Sequence, residues 1–222
     1  MSRKAVMKRI IELTGELLFP SSLYCVCCGN IIDESRSYSL CDHCMEHFRW
    51  VREAYELRKG MKLIRCVQYG IYERSIIFDL KYRGEKYLAR IIAEIMRDKL
   101  EASNMHIDYI VPVPLHNEKL KTRGFNQAEL IADFLSPLIG AKTVNCLKRV
   151  KPTLPMRGLN EEERRENIRG SIKLDCEDAF AGGGTIAILD DFYTTGSTAQ
   201  ECAKALKAVE SEEIVFIAFA SR

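Results

Sequence analysis

The chain has 222 residues, and 33 basic against 31 acidic side chains leave a formal charge of only +2. That balance gives global charge no part in recruiting nucleic acid and leaves only local basic loops for the purpose. The 47% hydrophobic content is that of an ordinary globular protein with a core to bury.

Val6, Ile10, Leu13, Leu17 and Leu18 recur at helical spacing, which predicts an amphipathic helix over residues 1–20 that ends before Pro20. Lys4, Lys8, Arg9, Glu12 and Glu16 interrupt it, so it reads neither as a signal peptide nor as a membrane span, and a cytoplasmic protein is expected.

Five of the nine cysteines fall between Cys25 and Cys44. Two CxxC pairs, Cys25/Cys28 and Cys41/Cys44, have the spacing of a four-thiolate structural zinc site, closed to further ligands. Cys27, His43 and His47 are competing ligands, and free thiols or a redox pair are the alternative. The regular pairs are preferred because Cys27 would break the two-residue gap. This module is expected over residues 21–58. Cys66, Cys146, Cys176 and Cys202 are scattered and read as small buried side chains.

Next come a short strand at Met61 to Gly70 and two helical stretches, Arg74 to Tyr82 and Lys86 to Leu100, separated by Gly84. From Ile107 onward, apolar strands alternate with helices, which predicts an α/β fold with a mostly parallel sheet. The strands are Asp108 to Leu115, Lys142 to Leu147, Thr185 to Leu189 and Glu213 to Ala220; the helices are Asn126 to Leu138 and Thr198 to Val209. Lys148 to Arg169, with five arginines and two prolines, reads as a mobile loop entering a short helix. Gly182 to Gly184 precede a strand rather than follow one, so they make no dinucleotide fingerprint.

The most informative segment is Thr185 to Thr198: an apolar strand, the carboxylates Asp190 and Asp191, then Phe192, Tyr193, Thr194, Thr195, Gly196, Ser197 and Thr198 leading into a helix. A parallel strand delivers such a turn to the carboxyl edge of its sheet, and the helix aims unpaired N–H groups at an anion. Small residues let the backbone approach a phosphate, and their hydroxyls add donors. The aspartates suit sugar hydroxyls or the water shell of Mg²⁺. A Walker lysine is lacking, which disfavours nucleoside-triphosphate hydrolysis.

This pattern resembles the ribose-phosphate loop of type I phosphoribosyltransferases, which bind phosphoribosyl pyrophosphate (PRPP) with Mg²⁺. Leu80 to Gly84 (LKYRG), Val111 to Leu115 (VPVPL) running into Arg123 to Gln127 (RGFNQ), Leu159 to Asn167 and the N-terminal cysteines together resemble the ComF family of competence-associated proteins. Met156 departs from that family, standing where glutamine is usual, whereas Arg164 and Asn167 fit. The resemblance implies a phosphoribosyltransferase-like domain over residues 59–222, with a hood and leading helices at 59–104 and a core sheet at 105–222. It further implies that Asp190 and Asp191 hold the ribose hydroxyls and that Thr194 to Thr198 cradle the 5′-phosphate. Candidates for the pyrophosphate are the stretch Pro112 to His116, which includes Pro114, Leu115 and His116, together with Arg123, Lys81 and Arg83. Two functions follow: phosphoribosyl transfer, with Asp190 and Asp191 as the catalytic candidates, or a non-catalytic sensor or scaffold that handles single-stranded DNA with DNA-processing proteins during natural transformation.

Overall fold

The computed structural model describes residues 23–33, 35–153, 158–176, 180 and 183–222. The helix expected over residues 1–20, Met156 and part of the Gly182 turn lie outside them. The chain divides into two compact units, one ending at Phe48 and the other running Arg49–Arg222.

In the first unit, Tyr24 and Ile31 form an antiparallel bridge around the first cysteine pair. A short 3₁₀ turn, Ser37–Ser39, then leads to helix α1, Asp42–His47. The Cys41 sulfur caps α1 by accepting from the Cys44 N–H at 3.5 Å, so the second CxxC pair is also the start of the helix. Cys25, Ile32, Leu40, Cys44 and Phe48 are buried.

The second unit is built on a six-stranded sheet in the order β1-β2-β8-β7-β3-β4. Its strands are β1 (Glu56–Arg58), β2 (Met61–Gln68), β3 (Tyr109–Pro112), β4 (Lys142–Thr143), β7 (Thr185–Tyr193) and β8 (Glu213–Ser221). Only β1 runs antiparallel, joined to β2 by a two-residue turn in which Lys59 and Gly60 both have positive φ, 53° and 80°. That is the turn whose twist matches a hairpin, and Lys-Gly is a weak form of its sequence signal, which is why β1 was not expected. The central strand β8 (EIVFIAFAS) is apolar almost throughout, as required of a parallel strand covered on both faces.

Alternation along the strands sorts the core. Val111, Ile186, Ile188, Phe216 and Ala218 face Ala199, Cys202 and Leu206 of the helical segment after β7. That segment is α7 (Ser197–Ala205) extended by a 3₁₀ turn, Leu206–Ala208. The opposite face packs against α3 (Leu88–Ala102) and α5 (Gln127–Ile139). The hood helix α2 (Ile71–Phe78) continues into one π-helical turn, Asp79–Arg83, whose wider winding marks a departure from regular geometry.

The stretch Lys142 to Leu147, expected as one strand, is two. β4 joins the main sheet, and β5 (Leu147–Arg149) pairs antiparallel with β6 (Ile172–Leu174) in a separate hairpin. Between β5 and β6 lies α6 (Glu161–Ile168), closed at its start by a capping box of Asn160 and Glu163. A short helix, α4 (Asn117–Arg123), was not expected either; the apolar residues of NEKLKTR are too few to show periodicity.

Asn126 ties the loop after β3 to the start of α5. It is buried, its side-chain oxygen accepts from the Ala128 N–H at 3.1 Å, and its amide donates to the Val113 carbonyl at 3.0 Å. Asn126→Ala removes a helix cap and strands a buried carbonyl, so a loss of about 2 kcal/mol is expected. The check is a lower urea midpoint at unchanged slope; a midpoint equal to that of the parent would contradict the assigned role.

Candidate functional site

The four sulfur atoms of Cys25, Cys28, Cys41 and Cys44 lie within 4.8 Å of one another, and Cys28 and Cys41 are 3.6 Å apart. A tetrahedral ion with metal–sulfur bonds of about 2.3 Å has edges of about 3.8 Å, so this cluster can hold a metal such as zinc. Cys27, His43 and His47 stand outside the group, and His47 Nδ1 lies 2.8 Å from the His43 carbonyl oxygen. Burial works to raise the Cys25 thiol, yet hydrogen bonds from the backbone at Cys41, Cys28 and Cys27 bring it to about 7.

The second site is at the carboxyl edge of the sheet. Strand β7 does not stop at Leu189: pairing with β8 continues through Asp190↔Ala218, Phe192↔Ala220 and Tyr193↔Ser221. The two aspartates therefore sit in extended backbone, not in the turn, and successive residues of a strand face opposite sides. On one side Asp191, fully buried, forms an ion pair with Lys81 from the π-helical turn and accepts from Gln127 Nε2 at 3.1 Å. Gln127 in turn accepts from Arg123. Asp190, partly exposed, lies within the electrostatic reach of Arg149 on β5. Its Oδ1 accepts the Asp191 N–H at 2.9 Å.

These surroundings drive the pair apart. Burial first, and then the Asp191 charge, pushes Asp190 well above the usual carboxylate range. Burial also opposes the Asp191 charge, but the Lys81 ammonium overcomes it and holds Asp191 low. Cations are in surplus nearby. Arg149 is lowered by burial, and its buried Nε has no hydrogen-bond acceptor among the described residues. Lys119 on α4 is lowered by desolvation and then by Arg149, Arg123 and Lys81, four like charges from three elements converging on one place.

The turn itself comprises Thr194, Thr195 and Gly196, and α7 starts at Ser197 without a side-chain cap. The Thr195 and Ser197 hydroxyls are 3.0 Å apart. Gly196 has φ 80°, and a Cβ there would collide with the Tyr193 hydroxyl, so only glycine fits. Tyr193 is fixed from below by an edge-on contact with Phe216, centroids 5.5 Å apart. Uncapped N–H groups at the start of a helix are donors of the kind that can receive an anion.

No protein-family model matches the chain. "Competence protein F" of Haemophilus influenzae is 28% identical over 93% of this chain and 93% of its own length. "Competence protein ComFC" of Bacillus subtilis is 27% identical over 89% of this chain and 74% of its own. The chain is a homologue of the ComF competence proteins. Among shorter matches, the Salmonella typhimurium "DNA utilization protein YhgH" is 28% identical over 59% of each chain. Among solved structures, adenine phosphoribosyltransferase from Saccharomyces cerevisiae is similar over 64% of this chain and 72% of its own, at 16% identity and a TM-score of 0.43.

Of the residues singled out in this ComF homologue from sequence, the structure brings together Asp190, Asp191, Lys81 and, through Gln127, Arg123. Arg83 instead turns outward to Asp79, at 3.2 Å. Pro114 is buried, Leu115 and His116 are partly buried, and the loop they form leaves β3 where the Val113 N–H donates to the Leu189 carbonyl at 2.9 Å. Arg164 is buried and its Nε donates to the Leu159 carbonyl at 2.9 Å, bracing the entry to α6. Gln127, Lys119 and Arg149 were missed as site residues. Gln127 had a signal, four residues beyond Arg123 in the RGFNQ motif; Arg149 had none, since only the β5–β6 pairing places it.

The opposed aspartates give opposite stability effects. Asp191 is held low, so its contribution is present at neutral pH and lost as pH falls through its folded value. Asp190 is raised, so the folded state is penalised as pH rises above the ordinary carboxylate range. Asp190→Asn is therefore expected to raise the melting temperature at pH 7. Asp191→Asn, which strands Lys81, should cost about 3–5 kcal/mol. The gap between the two should narrow toward about pH 3; shifts of the same sign in both variants would refute the assignment. Gly196→Ala should likewise destabilise, by more than about 1 kcal/mol, read by thermal unfolding.

Proposed function

We propose that the Asp190–Thr198 segment binds PRPP, and that this protein acts in DNA uptake or use, as its relatives are named for doing. The observation that carries the ligand is the uncapped start of α7 in the same segment whose Asp190 and Asp191 meet cations drawn from separate elements. The 5′-phosphate takes the N–H groups and hydroxyls of Thr194 to Thr198 in place of a side-chain cap. Asp190, partly exposed, accepts from a ribose hydroxyl, while Asp191 is engaged with Lys81 and Gln127 and holds the hood turn against the sheet. Arg149, Lys119 and Arg123 receive the pyrophosphate, and the orphaned Arg149 Nε gains the acceptor it lacks. The same charges would stabilise pyrophosphate as it separates from the sugar.

The donor set does not make a dedicated magnesium cage: one carboxylate is taken by Lys81 and the other is driven toward neutrality. Mg²⁺ on this reading arrives on the pyrophosphate oxygens and keeps its waters. The ion at the four cysteines is zinc, with a structural role, because all four positions are filled by thiolates.

Calorimetric titration of PRPP with Mg²⁺ tests the ligand. Saturable binding to the wild type is expected, weakened on the order of 10- to 100-fold in Arg149→Met, the loss of a charged hydrogen-bond donor. A folded wild type that binds no PRPP would overturn the reading. Elemental analysis of protein purified without chelator should find zinc, lost together with thermal stability in Cys44→Ser; zinc-free, fully folded protein would remove the metal from the account.

A further inference from the structure

Helix α7 begins at the proposed phosphate turn, while Arg149 rides on the β5–β6 hairpin, and these are separate elements. Ala199, Cys202 and Leu206 of α7 share one apolar cluster with Leu147 and Ile172 of the hairpin. Apolar contact is non-directional, so by itself it sets no register between helix and hairpin. Arg149 does not set its own place either, because its buried Nε has no acceptor among the described residues. Its position is inherited from the backbone that carries it.

A polar contact supplies the register. Glu201, on the second turn of α7, is only 8% exposed, and its Oε1 accepts the Gly170 N–H. Gly170 lies between α6 and β6 with a φ of 63°, the left-handed conformation that lets the chain reverse there. From Gly170 the tie reaches Arg149 through the ladder: the Ser171 carbonyl accepts the Val150 N–H at 2.8 Å, and Ile172 pairs with Arg149. The other carboxylate oxygen, Oε2, is 3.6 Å from the exposed Lys204 ammonium, a surface pair worth little. Cys202, the next residue of α7, lies within electrostatic reach of both Asp190 and Arg149, so this turn of the helix stands between the two halves of the site. Burying a carboxylate is costly, and packing alone would not call for one. We infer that Glu201 is a positioning residue: through Gly170 it locks the β5–β6 hairpin to α7 and so fixes Arg149 relative to the start of that helix. A ligand with one phosphate at the turn and a second anion at Arg149 senses the tie, whereas a ligand with the single phosphate does not. The ligand side of this inference rests on the PRPP reading; the tie itself does not.

The experiment titrates the full chain calorimetrically with PRPP and Mg²⁺, and separately with ribose 5-phosphate, which lacks the pyrophosphate. Glu201→Ala should weaken PRPP roughly 10-fold, the scale of a lost hydrogen bond to a charged group, and leave ribose 5-phosphate within about twofold. Glu201→Gln keeps an acceptor for Gly170 and should retain binding, as should Lys204→Ala, which removes only the surface pair. In an Arg149→Met background, Glu201→Ala should have no further effect on PRPP, because the group it positions is gone. Equal losses for both ligands, losses that add to those of Arg149→Met, or wild-type affinity in folded Glu201→Ala would overturn the inference. Hydrogen exchange without ligand tests the tie alone. Glu201→Ala should speed exchange at Gly170 and along β6 while β8 stays protected, and unchanged exchange there would sink the tie whatever the ligand. A wild type that binds no PRPP, with the hairpin still loosened in Glu201→Ala, would remove only the sugar-phosphate reading.

Discussion

The ion pair of Lys81 with Asp191 is the contact on which the arrangement of the second unit's site depends. It joins the hood turn to the end of β7 across about half the length of the chain, with Asp191 buried and Lys81 largely so. A buried pair of this kind returns little net stability, because desolvation of two ions offsets most of their attraction. What it supplies is position. With Lys81 drawn inward, Tyr82 and Arg83 are turned out, Gln127 is held on the remaining carboxylate oxygen, and Arg123 follows Gln127.

Direct pairing of only one of them with Lys81 explains why two adjacent aspartates behave so differently. Strand β8 keeps pairing with β7 as far as Tyr193, and there the two carboxylates touch each other and share the Lys81 charge unequally, Asp191 pairing with it directly. Asp191 meets the lysine and the Gln127 amide; Asp190 is desolvated and faces the Asp191 charge. Unequal access to one lysine thus separates the protonation of two touching side chains.

Much of this was legible in the sequence where the signal is local. Strand β8 is readable from its uninterrupted apolar run, the cysteine cluster from its paired spacing, and the turn into α7 from a strand followed by Thr, Gly and Ser. What sequence could not show depends on long-range pairing. Arg149 looks like any basic residue beside a valine until β6 arrives from more than twenty residues away to form its hairpin. The extent of β7 was hidden because Asp-Asp has poor strand propensity, and the neighbouring strand overrides it. The helix α4 was hidden because its apolar residues are too few to mark a face.

The start of α7 carries one more consequence. Helices usually bring their own cap, and here Asn126 and Asn160 do so for α5 and α6, whereas α7 opens on Gly196 with nothing to offer its first amides. An anion seated there is both a ligand and the missing end of a secondary-structure element. On the proposed reading, occupancy and local order at that turn become one variable, since an anion bound there would complete the helix start.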